Sequence, residues 1–209
     1  MRWQNGENLK HHFIAWYPED FVKSNSDLTN IAINLTGNPE EDDILVAKWR
    51  DTHPDDNTLN LEFEHLLSRF DLHIKFGSEY PDAEIVSVQS WLPRTGTCDL
   101  LNDEFENALI NDNNTYKMKE HPYTASGYDW SGSCITIPMT VLVMNFITIR
   151  CTNAGKEYYD YKHPTNIILK SGERTTLTLN VGKDKVELGS ITAAPWETCL
   201  LYTSPSPRD

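Results

Sequence analysis

The chain has 209 residues, of which 39% are hydrophobic and 23% charged, so it carries enough apolar content to bury a core. Its 18 Lys and Arg stand against 31 Asp and Glu, a formal charge of −13. So acidic a chain is repelled by phosphate backbones and anionic lipid, and the absence of a basic stripe argues against nucleic-acid binding.

The opening MRWQNGENLKHHF shows no charged head followed by an apolar stretch. From Phe13 onward the dominant period is two. Phe13, Ala15 and Tyr17 alternate with Ile14 and Trp16 until Pro18 stops the run. Ile31, Ile33 and Leu35 alternate with Ala32 and Asn34, and TGNP then turns the chain. In LNLEFEHLLSRFDLHIKF, Leu59, Leu61, Phe63, His65 and Leu67 share one face. After Ser68 the apolar parity flips to Phe70, Leu72, Ile74 and Phe76. A one-residue shift sends every side chain to the other face, so a β-bulge is expected near Leu67 to Arg69 to restore the core face. EIVSVQSWL reads as a short strand. DEFENAL is suited to a turn or two of helix, ended by NDNNT. ITIP is a short strand. VLVMNFITIRC, Val141 to Cys151, is apolar on both parities near its middle and reads as one central strand covered on both faces. It is also the longest apolar run, far short of the roughly 20 residues that cross a bilayer. The C-terminal part is a hairpin: Leu177, Leu179 and Val181 face inward, GKDK turns, and Val186, Leu188 and Ile191 return. Short strands separated by acidic turns (NPEEDD, HPDDN, NDNN) point to β-sandwiches.

The last stretch, CLLYTSPSPRD from Cys199 to Asp209, continues neither strand nor helix periodicity. One synonymous back-translation of it is the adapter end of a tagmentation library. Residues 199–209 are therefore expected to be translated adapter and are set aside. That leaves Cys98, Cys134 and Cys151, which cannot all pair and form no Cys-x-x-Cys arrangement.

No nucleophile elbow, phosphate-binding glycine loop or HExxH helix occurs. The histidines do not cluster. His65, on the apolar parity of its strand, reads as a packed histidine with one bonded nitrogen, because a metal site needs three or four converging ligands. NPEEDD and HPDDN lack the spaced ligands of a calcium loop and read as solvated turns. Trp16, Trp49, Trp91, Trp130 and Trp196 could line a glycan platform, but scattered singly they read as core or rim residues. No paired carboxylates are singled out for glycosidase chemistry. No catalytic residue, cofactor or metal is expected.

At FIAWYPEDF, DDILVAKW, LNLEFEHLLSRFDLHIKF, TGTCDLL, ITIPMT and LKSGERTTLTLNVGKDKVEL…ITAAPW the chain resembles the fimbrillin-like family. The recurring elements come in the family's order. An aromatic-Tyr-Pro segment leads to an Asp-Leu-Leu-x-Ala-like piece at Asp43 to Ala47. A Phe-x-His-x-Leu-Ser strand follows at Phe63 to Phe70, then an Ile-x-Leu-x-x-Gly-like stretch from Ile168 to Gly172. A terminal Ile and Trp close the series at Ile191 and Trp196, spaced more widely than the family's Ile-x-x-Trp. The resemblance spans nearly all of Phe13 to Trp196.

It implies an all-β fold of two transthyretin-like β-sandwich domains of about seven strands each. The N-terminal one would be incomplete and occupy residues 1–93, with the boundary at LPRTGT and the second domain at 94–198. It implies a non-enzymatic fimbrial or pilus subunit for adhesion, exported as a lipoprotein to the outer membrane of Bacteroidota. The signal peptide is expected to precede this fragment. Assembly would be by strand exchange with other fimbrial subunits, with host proteins or glycans as further partners. Val141, Val143, Ile147 and Ile149 are the candidate residues of the strand-exchange groove. A surface glycan-binding β-sandwich is the alternative reading.

Overall fold

The computed structural model describes residues 11–23, 26–52, 61–106 and 115–197. Among these the regular structure is strand, apart from a 3-10 turn at Glu19–Phe21. Two sheets form the principal sandwich. The larger has the order β10 (Lys119–Glu120), β11 (Trp130–Thr136), β5 (Ser68–Phe76), β16 (Glu173–Val181), β17 (Val186–Pro195). The smaller runs β14 (Tyr158–Lys162), β13 (Asn145–Thr152), β6 (Glu84–Trp91), β9 (Thr115–Lys117). A ribbon of β12 (Met139–Val141) and β15 (Ile167–Leu169) lies between these strands in the sequence. Two further sheets join β1 (His11–Tyr17), β3 (Leu45–Thr52) and β4 (Glu64–His65), and β2 (Ile31–Asn34), β7 (Thr95–Asp99) and β8 (Glu104–Glu106).

The two-residue period builds the core directly. Phe70, Leu72, Ile74 and Phe76 point inward from β5, beside Leu177, Leu179 and Val181 of β16. Val88, Ile147 and Ile149 answer from the smaller sheet. The two layers meet where the Phe70 and Phe146 rings pack edge to face at 6.0 Å, and where Ser90 Oγ lies 3.8 Å from Cys134 Sγ. Gly132 of β11 leaves room for the Trp130 ring, which any Cβ there would strike. Each fully buried aliphatic or aromatic side chain stabilises the sandwich by roughly 1.5–3 kcal/mol.

Several expectations change against this architecture. The proposed bulge at Leu67 to Arg69 is a full break: β4 ends at His65, a bend holds the buried Leu66 and Leu67, and β5 starts at Ser68. The flip of parity was real, but β4 pairs with β3 while β5 joins another sheet. The expected helix at DEFENAL is replaced by β8 over its described part, because Glu104, Phe105 and Glu106 pair with Asp99, Cys98 and Thr97. Asp99 holds the intervening turn by accepting from the Leu101 and Asn102 N–H groups at 2.8 and 3.1 Å. VLVMNFITIRC is two strands with a bend at residues 142–144. Ile135 and Thr136 of ITIP end β11, whose middle residues Ser131, Gly132 and Ser133 are too small and polar to show an apolar pattern.

Residues 93 and 94 lie between β6 and β7, and strands before them pair with strands after them. Strand β5 bonds to β11 antiparallel and to β16 parallel, and β6 bonds to β13. Ile31, Ile33 and Leu35 of the early chain belong to the same buried cluster as Phe70, Phe146 and Leu179. Spatial grouping therefore does not follow chain order at that point.

The turn after β2 is fastened by Asp42. It is buried in the NPEEDD stretch, where its carboxylate accepts from the Thr36 and Gly37 N–H groups at 2.7 and 2.8 Å. One carboxylate of that acidic turn is thus structural rather than solvated. HPDDN, NDNN, Leu59 and residues 199–209 lie outside the described residues.

Candidate functional site: an open seam and its clasp

A sandwich has two flanks, and here they differ. On one flank the chain passes from β9 into β10, and so from the smaller sheet into the larger. Buried Met118 sits at the crossing and donates its N–H to the Val88 carbonyl at 2.8 Å. That crossing closes the flank. On the other flank lie β14 and β17, each the terminal strand of its sheet, with no further strand paired to either among the described residues.

The two edges are joined at one end. The β13–β14 turn meets the β16–β17 turn, where the Tyr159 hydroxyl donates to the Lys183 carbonyl at 3.2 Å and Lys156 Nζ donates to the Asp184 carbonyl at 2.7 Å. Gly155 permits this approach, since a Cβ would collide with the Lys183 carbonyl. Burial pushes the Tyr159 hydroxyl above its ordinary pKa, opposed by the N–H that Lys156 donates to it. Away from this junction β17 overhangs. Its register sets Val186, Leu188 and Ile191 opposite Val181, Leu179 and Leu177, on the core side of the sheet. Yet Leu188 is 38% exposed and Val186 and Ile191 are only half-buried. The four-stranded layer is one strand short of covering the five-stranded one. The result is a row of half-covered aliphatic side chains between two unpaired backbone edges. Exposed Tyr158 stands on the β14 side.

The far end of β17 is fastened by a clasp. His65 is buried at the end of β4 and its ring stacks on Trp196 at 3.7 Å, the two planes 3° apart. Nδ1 lies 2.7 Å from Asp43 Oδ1, and Nε2 lies 3.0 Å from the Glu197 carbonyl oxygen. Arg69 sits over the other ring system of the pair, 5.8 Å from the Trp196 centroid. The backbone completes the clasp: Trp196 N–H donates to the Gly172 carbonyl at 2.7 Å, and Gly172 N–H to the Leu67 carbonyl at 3.0 Å. His65 was expected to use one nitrogen; it uses both, because the chain after β17 returns beside it.

The candidate groove residues fall in different environments. Ile147 and Ile149 are fully buried in β13, and β14 lies between them and the sheet edge. Val141 is buried in β12, and Val143 is exposed in the bend that follows. The sequence signal missed β17's overhang, because the alternation that marks Val186, Leu188 and Ile191 as inward-facing does not tell how far the opposite layer extends.

Of the tryptophans whose side chains are described, Trp130 is buried, Trp16 and Trp91 are half-buried and Trp196 is held in the clasp; the Trp49 side chain lies outside the described residues. Cys98, Cys134 and Cys151 are buried and form no disulfide among the described residues. Burial pushes the Cys98 and Cys134 thiols up to about 12, so they are inert at neutral pH. No group of three or more His, Cys, Asp or Glu side chains among the described residues is arranged to hold a metal ion. No helix among them is long and apolar enough to cross a membrane.

A family model described as Fimbrillin-like matches residues 2–196. The chain belongs to the fimbrillin-like family. Solved structures agree on the fold. A candidate cell adhesion protein from Bacteroides uniformis is 15% identical with a TM-score of 0.67, covering 90% of this chain and 73% of that one. One from Bacteroides ovatus is also 15% identical with a TM-score of 0.67, covering 93% and 74%. A fimbrial protein from Bacteroides vulgatus is 12% identical with a TM-score of 0.58, covering 88% and 77%. No curated protein matches. Membership in the fimbrillin-like family assigns this chain the role of a fimbrial subunit, part of a cell-surface appendage built with other subunits. The family is one of structural rather than enzymatic subunits.

Proposed function

We propose that this fimbrillin-like chain is a structural subunit of an adhesive fimbria, joined to its neighbour by strand exchange at the flank between β14 and β17. The observation that carries the reading is the half-covered row Val186, Leu188 and Ile191 lying between two unpaired edges. An incoming strand satisfies the free N–H and C=O groups of an edge and covers the row with its alternate side chains. If four aliphatic groups become buried, the gross gain is on the order of 6–12 kcal/mol, and ordering the donor strand lowers the net. Of the residues expected to line the groove, Ile147 and Ile149 serve this reading as the layer behind β14. The subunit is taken to be exported as a lipoprotein and displayed at the outer membrane.

The test is polymerisation of purified subunit scored by electron microscopy and sedimentation. Leu188→Lys and Ile191→Lys place charge on the row, and because Ile191 packs partly against the core, circular dichroism checks that each variant folds. Fibres from the parent chain and none from these variants support the reading. Fibres that form equally in the variants would remove the β14/β17 flank as the acceptor.

A further inference from the structure

The connection from His121 to Asp129, between β10 and β11, lies across the outer face of the larger sheet. Its effect is visible in β11, which is buried along its whole length on both faces. Ser131 and Ser133, small polar residues on the outward parity, are buried with the inward ones. His121 N–H donates to the Ser131 carbonyl at 2.9 Å, and three more hydrogen bonds fasten the connection. Ala125 N–H donates to Ser131 Oγ at 3.0 Å, Asp129 N–H donates to the Ile74 carbonyl at 2.8 Å, and Asp129 Oδ2 accepts from Phe76 N–H at 2.7 Å. Beneath it, His73 of β5 lies with Nδ1 2.8 Å from Ser131 Oγ and its ring stacked on Tyr128 at 5.0 Å. His121 enters from the start of the connection, and its Nε2 is buried with no hydrogen-bond partner among the described residues.

Hydrogen counting selects the neutral form of His73. Ser131 Oγ already accepts from Ala125, and its own hydrogen has an acceptor only in an unprotonated Nδ1. A proton on Nδ1 would take the second lone pair of Ser131 Oγ and leave the hydroxyl hydrogen of this fully buried serine without an acceptor among the described residues. The charged neighbours are mixed. Asp71 and Arg69 lie on the same face of β5, Lys75 is two residues beyond His73, and Arg174 approaches from β16, its guanidinium 3.9 Å from Asp71. Asp71 is already engaged by Arg69 at 2.8 Å.

We propose that residues 121–129 form an acid-released strap, closed while His73 and His121 are neutral and lifted when they take up protons. Burial pushes both imidazoles below their ordinary value of 6.5, and Asp71 opposes this. Each histidine therefore contributes fully to the closed state above that value, and the contribution is lost as pH falls below it. Lifting uncovers a polar floor of Asp71, His73, Ser131 and Ser133, while the apolar core on the other side of the sheet stays covered. This device is independent of strand exchange.

The test is amide hydrogen exchange on the full chain at about pH 7.5 and about pH 5, corrected for the intrinsic rate, with β13 amides as the internal reference. The expected result is loss of protection within residues 122–129 at the lower pH while β13 is unchanged. The loss disappears in the His73→Phe/His121→Phe variant, which cannot charge, and deepens in Asp71→Asn, which removes the opposing carboxylate. Equal strap protection at both pH values overturns the proposal. So does an undiminished acid loss in the double variant, or, should that variant not fold, an Asp71→Asn profile identical to the parent's.

Discussion

Replacing His65 with Phe tests the clasp at the end of β17 while keeping an aromatic ring against Trp196. Both partners are acceptors, so the pair of hydrogen bonds needs a hydrogen on each ring nitrogen, and the substitution removes both, at 2.7 Å to Asp43 and 3.0 Å to the Glu197 carbonyl. The bond to a neutral carbonyl is worth about 1 kcal/mol net. The bond to Asp43 would rank higher in a dry site, but the carboxylate is 32% exposed and water replaces the lost donor, so it too is set at about 1 kcal/mol. His65→Phe should therefore destabilise the chain by about 2 kcal/mol. His65→Ala should cost about 3–4 kcal/mol, since it also forfeits the stacked contact and leaves a space in a site that is only 6% exposed. The assay is urea unfolding followed by far-ultraviolet circular dichroism, with Asp43→Asn and the double variant completing a cycle. Coupling of roughly 0.5–1 kcal/mol between His65 and Asp43 is expected. A His65→Phe midpoint indistinguishable from the parent's, or strict additivity with Asp43→Asn, would refute the clasp as a fastening of this strand.

Other perturbations probe the core and the turns. Phe146→Ala, which deletes a fully buried ring packed on Phe70 and Tyr161, should lower unfolding stability by about 4 kcal/mol, whereas Tyr158→Ala on the exposed side of β14 should change it by less than about 1 kcal/mol. Asp42→Ala strips the buried acceptor from the Thr36 and Gly37 N–H groups and should cost about 1–2 kcal/mol in the same urea assay, since water reaches the turn. Gly132→Ala should cost about 1–3 kcal/mol, because its methyl group meets the Trp130 ring and the Lys119 carbonyl; near-ultraviolet circular dichroism should report the displaced indole. In a Cys199→Ser background, Cys98, Cys134 and Cys151 should resist a thiol-reactive dye near neutral pH until denaturant is added, and a rapid native reaction would contradict their burial.

The sequence by itself determined the strand class and, for the clearly alternating segments such as β5, β16 and β17, the strand positions and the inward faces; β3, β7 and β14 carried no alternation that marked them. Side chains alternate along a strand whatever lies beside it, so Phe70, Leu72, Ile74, Leu177, Leu179 and Val181 announced their side of the sheet, and the ordered motifs announced the family. Tertiary structure alone decided which strand lies beside which. The parallel pairing of β5 with β16, the sharing of sheets across residues 93/94, and the conversion of DEFENAL's described part to strand all depend on partners distant in the chain. The same holds for the flank between β14 and β17 and for the second bond of His65. An edge is open, or a nitrogen is satisfied, according to what other segments bring to it, and no local period records that.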